Sequence, residues 1–255
     1  AVLQAAGIAE EAFGGWPQFV TLFHGRKGRF GYDWGKPEDE VPDRLRKVSL
    51  HRRRIQVLPD LPTKTRRDIP VHDLDAATVE ICDKALAALE AAGVNLKSAE
   101  ALAEATRAGS TPFALMSAAR AALATAKLGA ATELVEEYEE AEEALVVFCS
   151  HKAPILAIGN RPGWEIITGD TPADERGRIV EKFQRGETKG IAGTTQAMGI
   201  GVTLTHAAHA LMIDLAWTPA LNCQAEDRIC RIGQDRGVLI TRLVAAHALD
   251  ERVCE

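Results

Sequence analysis

The chain has 255 residues, of which 46% are hydrophobic, and its 30 Lys and Arg stand against 36 Asp and Glu. This composition can build one or two packed domains, and it excludes a wholly disordered chain. The formal net charge of −6 excludes a protein that coats DNA through bulk positive charge, so any contact with nucleic acid must come from a local basic patch.

The five cysteines are odd in number and form no C-x-x-C pair. They indicate neither a disulfide framework nor a zinc site, and they favour a reducing compartment. No uninterrupted apolar run approaches about 18 residues, and the chain does not open with a basic stretch followed by an apolar core. The sequence therefore predicts neither a membrane span nor secretion. Because it starts without Met, inside a helix-like stretch, we expect it to be a piece of a longer protein.

The start of the chain combines an aromatic cluster with a loop rich in glycine and charge, which is typical of the tail of a domain. The cluster consists of Phe13, Trp16, Phe19 and Phe23. A basic segment follows over residues 44–67, with nine Lys and Arg and one Asp, a net charge of +8 that leaves −14 for the rest of the chain. Pro59 and Pro62 cannot lie inside a helix, so they indicate a linker. We predict a tail and basic linker over residues 1–70 and a second domain over residues 71–255.

Residues 73–143 are rich in alanine and have helical periodicity. Gly93, residues 109–112 and Gly129 are the predicted breaks between about four helices. The seven glutamates of residues 133–143 are most simply the solvated face of a helix.

After residue 143 short apolar strands alternate with helices, the pattern of a parallel α/β sheet covered by helices on both faces. The strands are predicted at residues 144–149, 164–168, 190–195, 210–215 and 238–244, and the helices near residues 152–159, 173–185 and 218–231. In such folds ligands bind at the carboxyl edge of the strands.

The predicted helix over residues 218–231 carries the most specific group of side chains. Spacings of four and three residues place an amide and two guanidinium groups on one stripe of this helix. These groups belong to Gln224, Arg228 and Arg231. Two guanidinium groups on a rigid helix suit a polyphosphate that gains charge as its γ-phosphoryl group leaves. The alternative is a structural arginine pair that bridges to Glu226, to Asp227 or to a neighbouring helix.

The loop after the strand at residues 190–195 has two glycines, Gly199 and Gly201, with threonines beside them. Glycines let a backbone approach a phosphate closely, and hydroxyl groups add donors. Leu204 stands where a dinucleotide fingerprint needs a third glycine. The sequence also lacks G-x-x-x-x-G-K-[ST] and an apolar strand that ends in an acidic pair able to hold magnesium. The sequence thus has the arginines of an ATPase without its phosphate-binding loop and its magnesium-binding acids. We expect these missing parts before residue 1.

Residues 224–234 read Q-A-E-D-R-I-C-R-I-G-Q and resemble motif six of the Swi/Snf-type DNA translocases of helicase superfamily two, usually written Q-A-x-D-R-x-H-R-I-G-Q. Other segments resemble motif five, its W-x-P, motif four, the first strand of the second RecA-like lobe and the basic exit from the first lobe. These are residues 195–205, 217–219, 167–171, 144–148 and 50–64. The likeness covers nearly the whole chain and is nearest to the annealing-helicase branch.

Three positions depart from the family pattern. Cys230 replaces the usual His of motif six, Met198 replaces a Gly of motif five, and His51 replaces an Arg of the basic exit. Both motif-six arginines are present. The departures therefore weaken the expectation of a DNA contact by motif five more than the expectation of a nucleotide contact by motif six.

The resemblance implies a RecA-like second motor lobe of an ATP-dependent translocase on double-stranded DNA, with an alanine-rich helical insertion and the tail of a missing first lobe. Arg228 and Arg231 would be the catalytic arginines. The implied ATP contacts are Gln224, Gly199, Gly201 and Asp227. The implied DNA contacts are Thr168, Gly169, Thr194, Thr195, Arg52, Arg53, Arg54 and Trp217. ATP and Mg²⁺ would be held mainly by the first lobe, so we expect this chain alone to be inactive.

Other interpretations stay open. The chain could be a non-enzymatic DNA-binding or scaffold protein that kept only the second lobe. The basic segment could be a hinge whose arginines pair with the acidic remainder of the chain, and Trp217 could simply pack under the helix. Cys230, His206 and His209 are expected to be structural, and no metal site is predicted. Alanine richness and the reducing compartment indicate a cytoplasmic, DNA-associated protein of a bacterium or phage, or a nuclear one in a eukaryote; no membrane partner is expected.

Overall fold

The computed structural model describes residues 8–28, 31–49, 58, 60–91, 111–199 and 201–254. The chain has two compact units, Ala1–Asp60 and Leu61–Glu255. The boundary between them lies before the one predicted after residue 70, because residues 64–71 form a strand of the second unit.

The described residues of the first unit form two short helices, a pair of antiparallel strands and a third helix. These are α1 (Ile8–Phe13), α2 (Trp16–Leu22), β1 (Arg26–Gly28), β2 (Gly31–Asp33) and α3 (Val41–Val48). Gly14 and Gly15 have φ angles of 68° and 98°, a conformation that favours glycine where the chain turns from α1 into α2. The predicted aromatic cluster is present, since the ring centroid of Phe13 lies 5.2 Å from that of Phe19 and 6.0 Å from that of Phe23.

The second unit is built on a six-stranded parallel sheet. Its strands are β3 (Lys64–Val71), β4 (Leu145–Cys149), β5 (Trp164–Ile167), β6 (Gly190–Thr194), β7 (His209–Met212) and β8 (Val238–Ala245). Their order is β3-β8-β7-β4-β6-β5, and every neighbouring pair is parallel. The RecA-like parallel sheet predicted from the sequence is confirmed, and β4 to β8 lie at or near the five predicted strands.

The second unit also contains eight helices in its described residues. These are α4 (Ala76–Ala91), α5 (Thr111–Ala126), α6 (Leu128–Glu140), α7 (Lys152–Gly159), α8 (Ala173–Gln184), α9 (Thr195–Met198), α10 (Pro219–Glu226) and α11 (Ala248–Cys254). Among the helices of the described ranges, none combines the length and the apolar character of a bilayer-spanning segment.

Helices pack on both faces of the sheet. Because successive side chains of a strand point to opposite faces, one strand contacts helices on each side. On one face Val146 of β4 packs in a cluster with Phe183 of α8. On the other face Val147 packs with Val135 of α6 and Ile155 of α7. All five residues of β4 are buried, as expected for a central strand of a parallel sheet.

The sequence does not predict β3, because K-T-R-R-D-I-P-V has no apolar run. β3 lies at the edge of the sheet beside β8, with Lys64 next to Val238 and Arg66 next to Ile240. An edge strand tolerates Pro70, whose nitrogen cannot donate a hydrogen bond. The predicted linker therefore ends inside the sheet.

The alanine-rich segment forms α4, α5 and α6. Residues 92–110, which contain the predicted break at Gly93, lie outside the described residues. The predicted break at Gly129 is wrong, since α5 and α6 are separated at Lys127 and Gly129 lies inside α6. Lys127 fixes this turn because its Nζ lies 2.5 Å from an Asp250 carboxylate oxygen, and its side chain is only 1% exposed.

Candidate functional site

The carboxyl ends of the parallel strands meet at one edge of the sheet. The last residue of β5 lies next to Gly193 of β6. Thr168 and Thr194, the next residues along the two strands, are therefore neighbours at this edge, and Gly169 and Thr195 directly follow them. The structure thus brings together the four DNA contacts that the sequence predicts at β5 and β6.

The threonines at this edge are buried, whereas Gly169 is exposed. Thr168 and Thr194 are 7% exposed and Thr195 is 3% exposed. Thr168 Oγ1 accepts a hydrogen bond from the Asp170 N–H at 3.3 Å. Thr195 Oγ1 is buried and has no hydrogen-bond partner among the described residues. A Cβ placed on Gly169 would meet no atom within 4 Å, so the backbone at Gly169 is the most accessible part of this edge.

The loop after β6 begins with the short helix α9 rather than with an open glycine-rich loop. The Gly199 N–H donates to the Thr195 carbonyl oxygen at 2.8 Å and so closes the helix. A Cβ on Gly199 would lie 2.5 Å from that same oxygen, which requires glycine at this position. Gly201 has a φ of 77°, which also favours glycine. The backbone path itself therefore accounts for both glycines.

Met198, which departs from the motif-five pattern, is fully buried in the core of the second unit. A Cβ on Gly193 would lie 2.6 Å from its Sδ and 2.5 Å from the Ile167 carbonyl oxygen. The methionine side chain therefore fits under β6 because residue 193 is glycine.

The helix predicted to carry the side chains of motif six is shorter than expected. α10 ends at Glu226, and the chain then turns, with the Ile229 and Cys230 N–H groups both donating to the Glu226 carbonyl oxygen at 3.1 Å. The prediction of one helical stripe for Gln224, Arg228 and Arg231 is therefore wrong. Burial of Ile229 and Cys230 in the core gives the physical reason, because the turn directs both side chains inward.

The side chains of Arg228 and Arg231 nevertheless bind the same loop, the one that follows α9. Arg228 Nε donates to the Gly199 carbonyl oxygen at 2.9 Å, and Arg231 Nη1 donates to the Val202 carbonyl oxygen at 3.4 Å. The Leu204 N–H in turn donates to the Arg228 carbonyl oxygen at 2.8 Å. The turn after α10 and the loop after α9 are thus joined by hydrogen bonds donated in both directions.

The electrostatic environment of Arg228 suits an anion. Burial lowers the pKa of Arg228, and the positive charge of Arg231 lowers it further, while Asp227 partly offsets both effects. An anion between the two guanidinium groups would relieve this repulsion. Glu226 and Asp227, the acids that the sequence leaves open as bridging partners of these arginines, form ion pairs with strand β3.

Strand β3 supplies two bases to the end of α10. Arg66 binds both carboxylate oxygens of Glu226, at 2.8 and 2.6 Å, and Lys64 Nζ lies 2.8 Å from Glu226 and 3.1 Å from Asp227. The Glu226 side chain is only 3% exposed. Burial would raise the pKa of Glu226, but the hydrogen bonds and charges of Arg66 and Lys64 outweigh burial and lower it.

The basic segment is partly neutralised by acids of this chain. Besides the two bases of β3, Arg44 pairs with Glu40 at 3.2 Å and Arg46 pairs with Asp43. These pairings agree with the interpretation in which the segment's bases meet the acidic remainder of the chain. Arg52, Arg53 and Arg54 lie outside the described residues.

Trp217 packs against the helical insertion. It contacts the cluster of α4 and α5, and the Cζ atom of Arg120 lies 4.8 Å from the centroid of its ring. Arg120 Nη2 also lies 3.3 Å from Asp214, which is 3% exposed and accepts a hydrogen bond from the Ser150 N–H at 2.6 Å. Sequence reasoning missed Arg120 and Asp214, because the two residues are 94 positions apart and neither belongs to a motif.

The remaining residues singled out in the sequence have structural contacts. The His206 ring lies edge-on to Phe183 at 5.4 Å, and His209 Nδ1 is 3.3 Å from the Tyr138 hydroxyl. Cys230 is 3% exposed. Within the described ranges, no group of three or more His, Cys, Asp and Glu could hold a metal ion.

The sequence is similar to known helicase proteins. The family described as the helicase conserved C-terminal domain matches residues 126–233. The chain is 27% identical over 264 residues to the DNA annealing helicase and endonuclease ZRANB3 of Bos taurus, an alignment that covers 97% of this chain and 24% of the relative. It is 42% identical over 88 residues to the SNF2 domain-containing protein ENL1 of Oryza sativa subsp. japonica, with 34% of this chain and 9% of the relative covered. The chain thus spans a quarter or less of the length of these relatives.

A solved structure shares the fold. The C-terminal domain of the Sulfolobus solfataricus SWI2/SNF2 ATPase superposes with a TM-score of 0.53 at 15% identity, over 75% of this chain and 83% of that one.

Proposed function

We propose that this chain, which belongs to the Swi/Snf-type helicases and carries their conserved C-terminal domain, is the second motor lobe of an ATP-driven translocase on double-stranded DNA. In this proposal Arg228 and Arg231 act on ATP whose phosphates and Mg²⁺ are held by a first lobe. The relatives support this direction because one of them is described as a DNA annealing helicase.

The observation that carries the proposal is the anchoring of Arg228 and Arg231 on one loop. Each guanidinium uses one donor to hold a backbone carbonyl, of Gly199 and of Val202. A guanidinium has five N–H donors, so within the part of the chain that the structure describes each arginine keeps donors for a ligand besides the one that holds the loop. Two anchored guanidinium groups side by side can stabilise the charge that develops on the oxygens of a transferred phosphoryl group.

The sequence supports a division of labour between two lobes. It contains no G-x-x-x-x-G-K-[ST], but it does contain Arg228 and Arg231, whose positive charges can act on a phosphate group. We therefore assign this chain the role of closing onto a nucleotide bound elsewhere, a movement that would complete the catalytic group only in the closed state. No chemical step is assigned to Mg²⁺ at residues of this chain.

For DNA we propose contacts with the phosphate backbone at the carboxyl edge of β5 and β6. The exposed backbone at Gly169 supports this assignment, because a phosphate can approach a glycine closely. The buried Thr195 Oγ1, which has no partner among the described residues, is a donor that a small movement of α9 would expose. Base readout is not part of the proposal, since backbone contacts carry no sequence information.

The test is DNA-stimulated ATP hydrolysis by a two-lobe protein, made by joining this chain to a first lobe that carries G-x-x-x-x-G-K-[ST]. Arg228→Gln should lower kcat by about 10²-fold or more, because the arginine acts mainly in the transition state. Arg178→Gln is the matched control, since Arg178 is 73% exposed and pairs with Asp174, four residues earlier on the same helix. Retention of hydrolysis within about threefold in Arg228→Gln would contradict the catalytic assignment. DNA binding without any hydrolysis by the unsubstituted two-lobe protein would favour the scaffold alternative.

A further inference from the structure

An ion cluster joins β3 to the end of α10. Glu226 is the last residue of α10, and the two residues after Asp227 are already part of the turn that carries both arginines. The side chain of Glu226 is held by Arg66 and Lys64, while its carbonyl oxygen accepts the N–H groups that shape the turn. One residue thus joins the edge strand to the arginine turn.

The geometry of β3 explains why these bases reach α10. Lys64 lies next to Val238 and Arg66 next to Ile240, and both of these partners belong to the core cluster that α10 covers. Side chains that are neighbours across two strands share a face of the sheet. Lys64 and Arg66 therefore extend the face on which α10 packs, and they meet its last residue from the side.

The cluster is specific rather than a chance surface pair. Arg66 uses two parallel donors on one carboxylate, a geometry that fixes the orientation of both groups. Since the Glu226 side chain is 3% exposed, loss of one base leaves a buried carboxylate with fewer partners, which is costly. Lys64 also reaches Asp227 at 3.1 Å, so both residues that precede Arg228 are attached to β3.

We propose that Arg66, Lys64 and Glu226 are positioning residues for Arg228 and Arg231. The cluster sets where the arginine turn lies, and it makes β3 and the turn move as one body. Because the last four residues of the basic segment, 64–67, lie in β3, a displacement of this strand would reach the arginines through the cluster. The catalytic consequence rests on the proposed function, whereas the positioning itself does not.

Positioning can be measured in this chain without ATP. Two signals report on the turn: the Arg228 Nε–H resonance in NMR spectra, which senses the bond to Gly199, and hydrogen exchange of the Leu204 amide, which donates to the Arg228 carbonyl oxygen. In Arg66→Gln we expect Leu204 to exchange about tenfold faster or more, and the Arg228 signal to shift, while the amides of β4 keep their protection.

Asp68→Asn is the matched control. Asp68 also lies on β3 and forms a two-donor pair with Arg242 of β8, through distances of 2.5 and 2.6 Å. Its loss weakens the attachment of the same strand without touching α10. Unchanged Leu204 exchange in Asp68→Asn is expected. Equal acceleration in both variants, or equal acceleration of Leu204 and β4 in Arg66→Gln, would overturn the proposal, since the effect would then be general loosening.

The catalytic consequence is measured in the two-lobe protein. Arg66→Gln should lower kcat about tenfold with little change in the KM for ATP, because the displaced arginines act in the transition state. Arg66→Lys, which keeps the charge but not the two-donor geometry, should recover part of the loss. Slower turnover with a raised KM and no recovery in Arg66→Lys would contradict positioning. If Arg228→Gln leaves turnover intact while the NMR and exchange results hold, the proposed function fails and the positioning stands.

Discussion

The Nε–H of Arg228 donates to the carbonyl oxygen of Gly199 at 2.9 Å, a contact that joins two segments 29 residues apart. Arg231 makes the corresponding contact with Val202. Each arginine is therefore held by a backbone acceptor whose position depends on the path of the loop after α9. A side chain held in this way loses less conformational freedom when it binds a ligand, so it is preorganised.

We expect no ATP hydrolysis by residues 1–255 alone, because the sequence has neither a phosphate-binding loop nor a strand that ends in a magnesium-binding acidic pair. A coupled assay with and without duplex DNA measures this. Turnover above background that disappears in an Arg228→Ala control would show that the expectation is wrong.

In the two-lobe protein, Arg231→Ala should lower kcat by about 10³-fold while the melting temperature changes little. The reason is that Arg231 is exposed and its side-chain hydrogen bond to the Val202 carbonyl oxygen is long, at 3.4 Å. Steady-state kinetics and thermal unfolding of the same preparation measure both quantities. A fall in kcat of less than about threefold together with a sharply lower melting temperature would make the arginine structural.

The five strands from β4 to β8 could be predicted because each is an apolar run between turn residues. β3 could not, since its stability comes from pairing with β8 and from ion pairs that its charged side chains make with α10. The extent of α10 was overestimated because helical spacing in the sequence cannot show that Ile229 and Cys230 turn into the core. The arginines were identified from the motif, but their anchoring at Gly199 and Val202 is a long-range contact that no local pattern contains.

Glu226→Gln should lower the free energy of unfolding by about 2 kcal/mol at pH 7. Burial would raise the pKa of Glu226, but Arg66 and Lys64 outweigh it and hold the pKa below its ordinary value of 4.5. A carboxylate with a lowered pKa in the folded state contributes stability that is present in full above 4.5 and lost as the pH falls through the lowered pKa. The difference between the wild-type chain and Glu226→Gln should therefore shrink towards pH 3.

Urea unfolding at several pH values measures this dependence. Glu80→Gln is the control, because Glu80 also has a lowered pKa but is exposed and pairs with Lys84 within one helix. We expect almost no effect of this control at any pH. A difference for Glu226→Gln that stays constant between pH 7 and pH 3 would contradict the ionic role of Glu226.

The salt dependence of DNA binding tests the role of the basic segment. Arg44, Arg46, Lys64 and Arg66 are paired with acids of this chain, so they are poor candidates for phosphate contacts. Arg52, Arg53 and Arg54 are the bases of this segment for which the sequence predicts DNA contact. Each phosphate that a base neutralises contributes about −0.9 to the slope of log K against log salt. Replacement of these three arginines by Gln should therefore flatten the slope by up to about three units if they contact duplex DNA.

A charge-matched control separates direct contact from the general effect of net charge. Arg185, Lys189 and Arg236 precede β6 or β8 and so lie towards the amino edge of the sheet, away from Thr168 and Thr194. Their replacement by Gln removes the same three positive charges, and it should lower affinity slightly with little change in slope, because exposed charges beyond a Debye length of about 8 Å are largely screened. An unchanged slope in the Arg52, Arg53 and Arg54 variant, with docking of the first lobe lost instead, would assign the segment to a hinge. The contacts at β5 and β6 would then account for the whole salt dependence of this lobe.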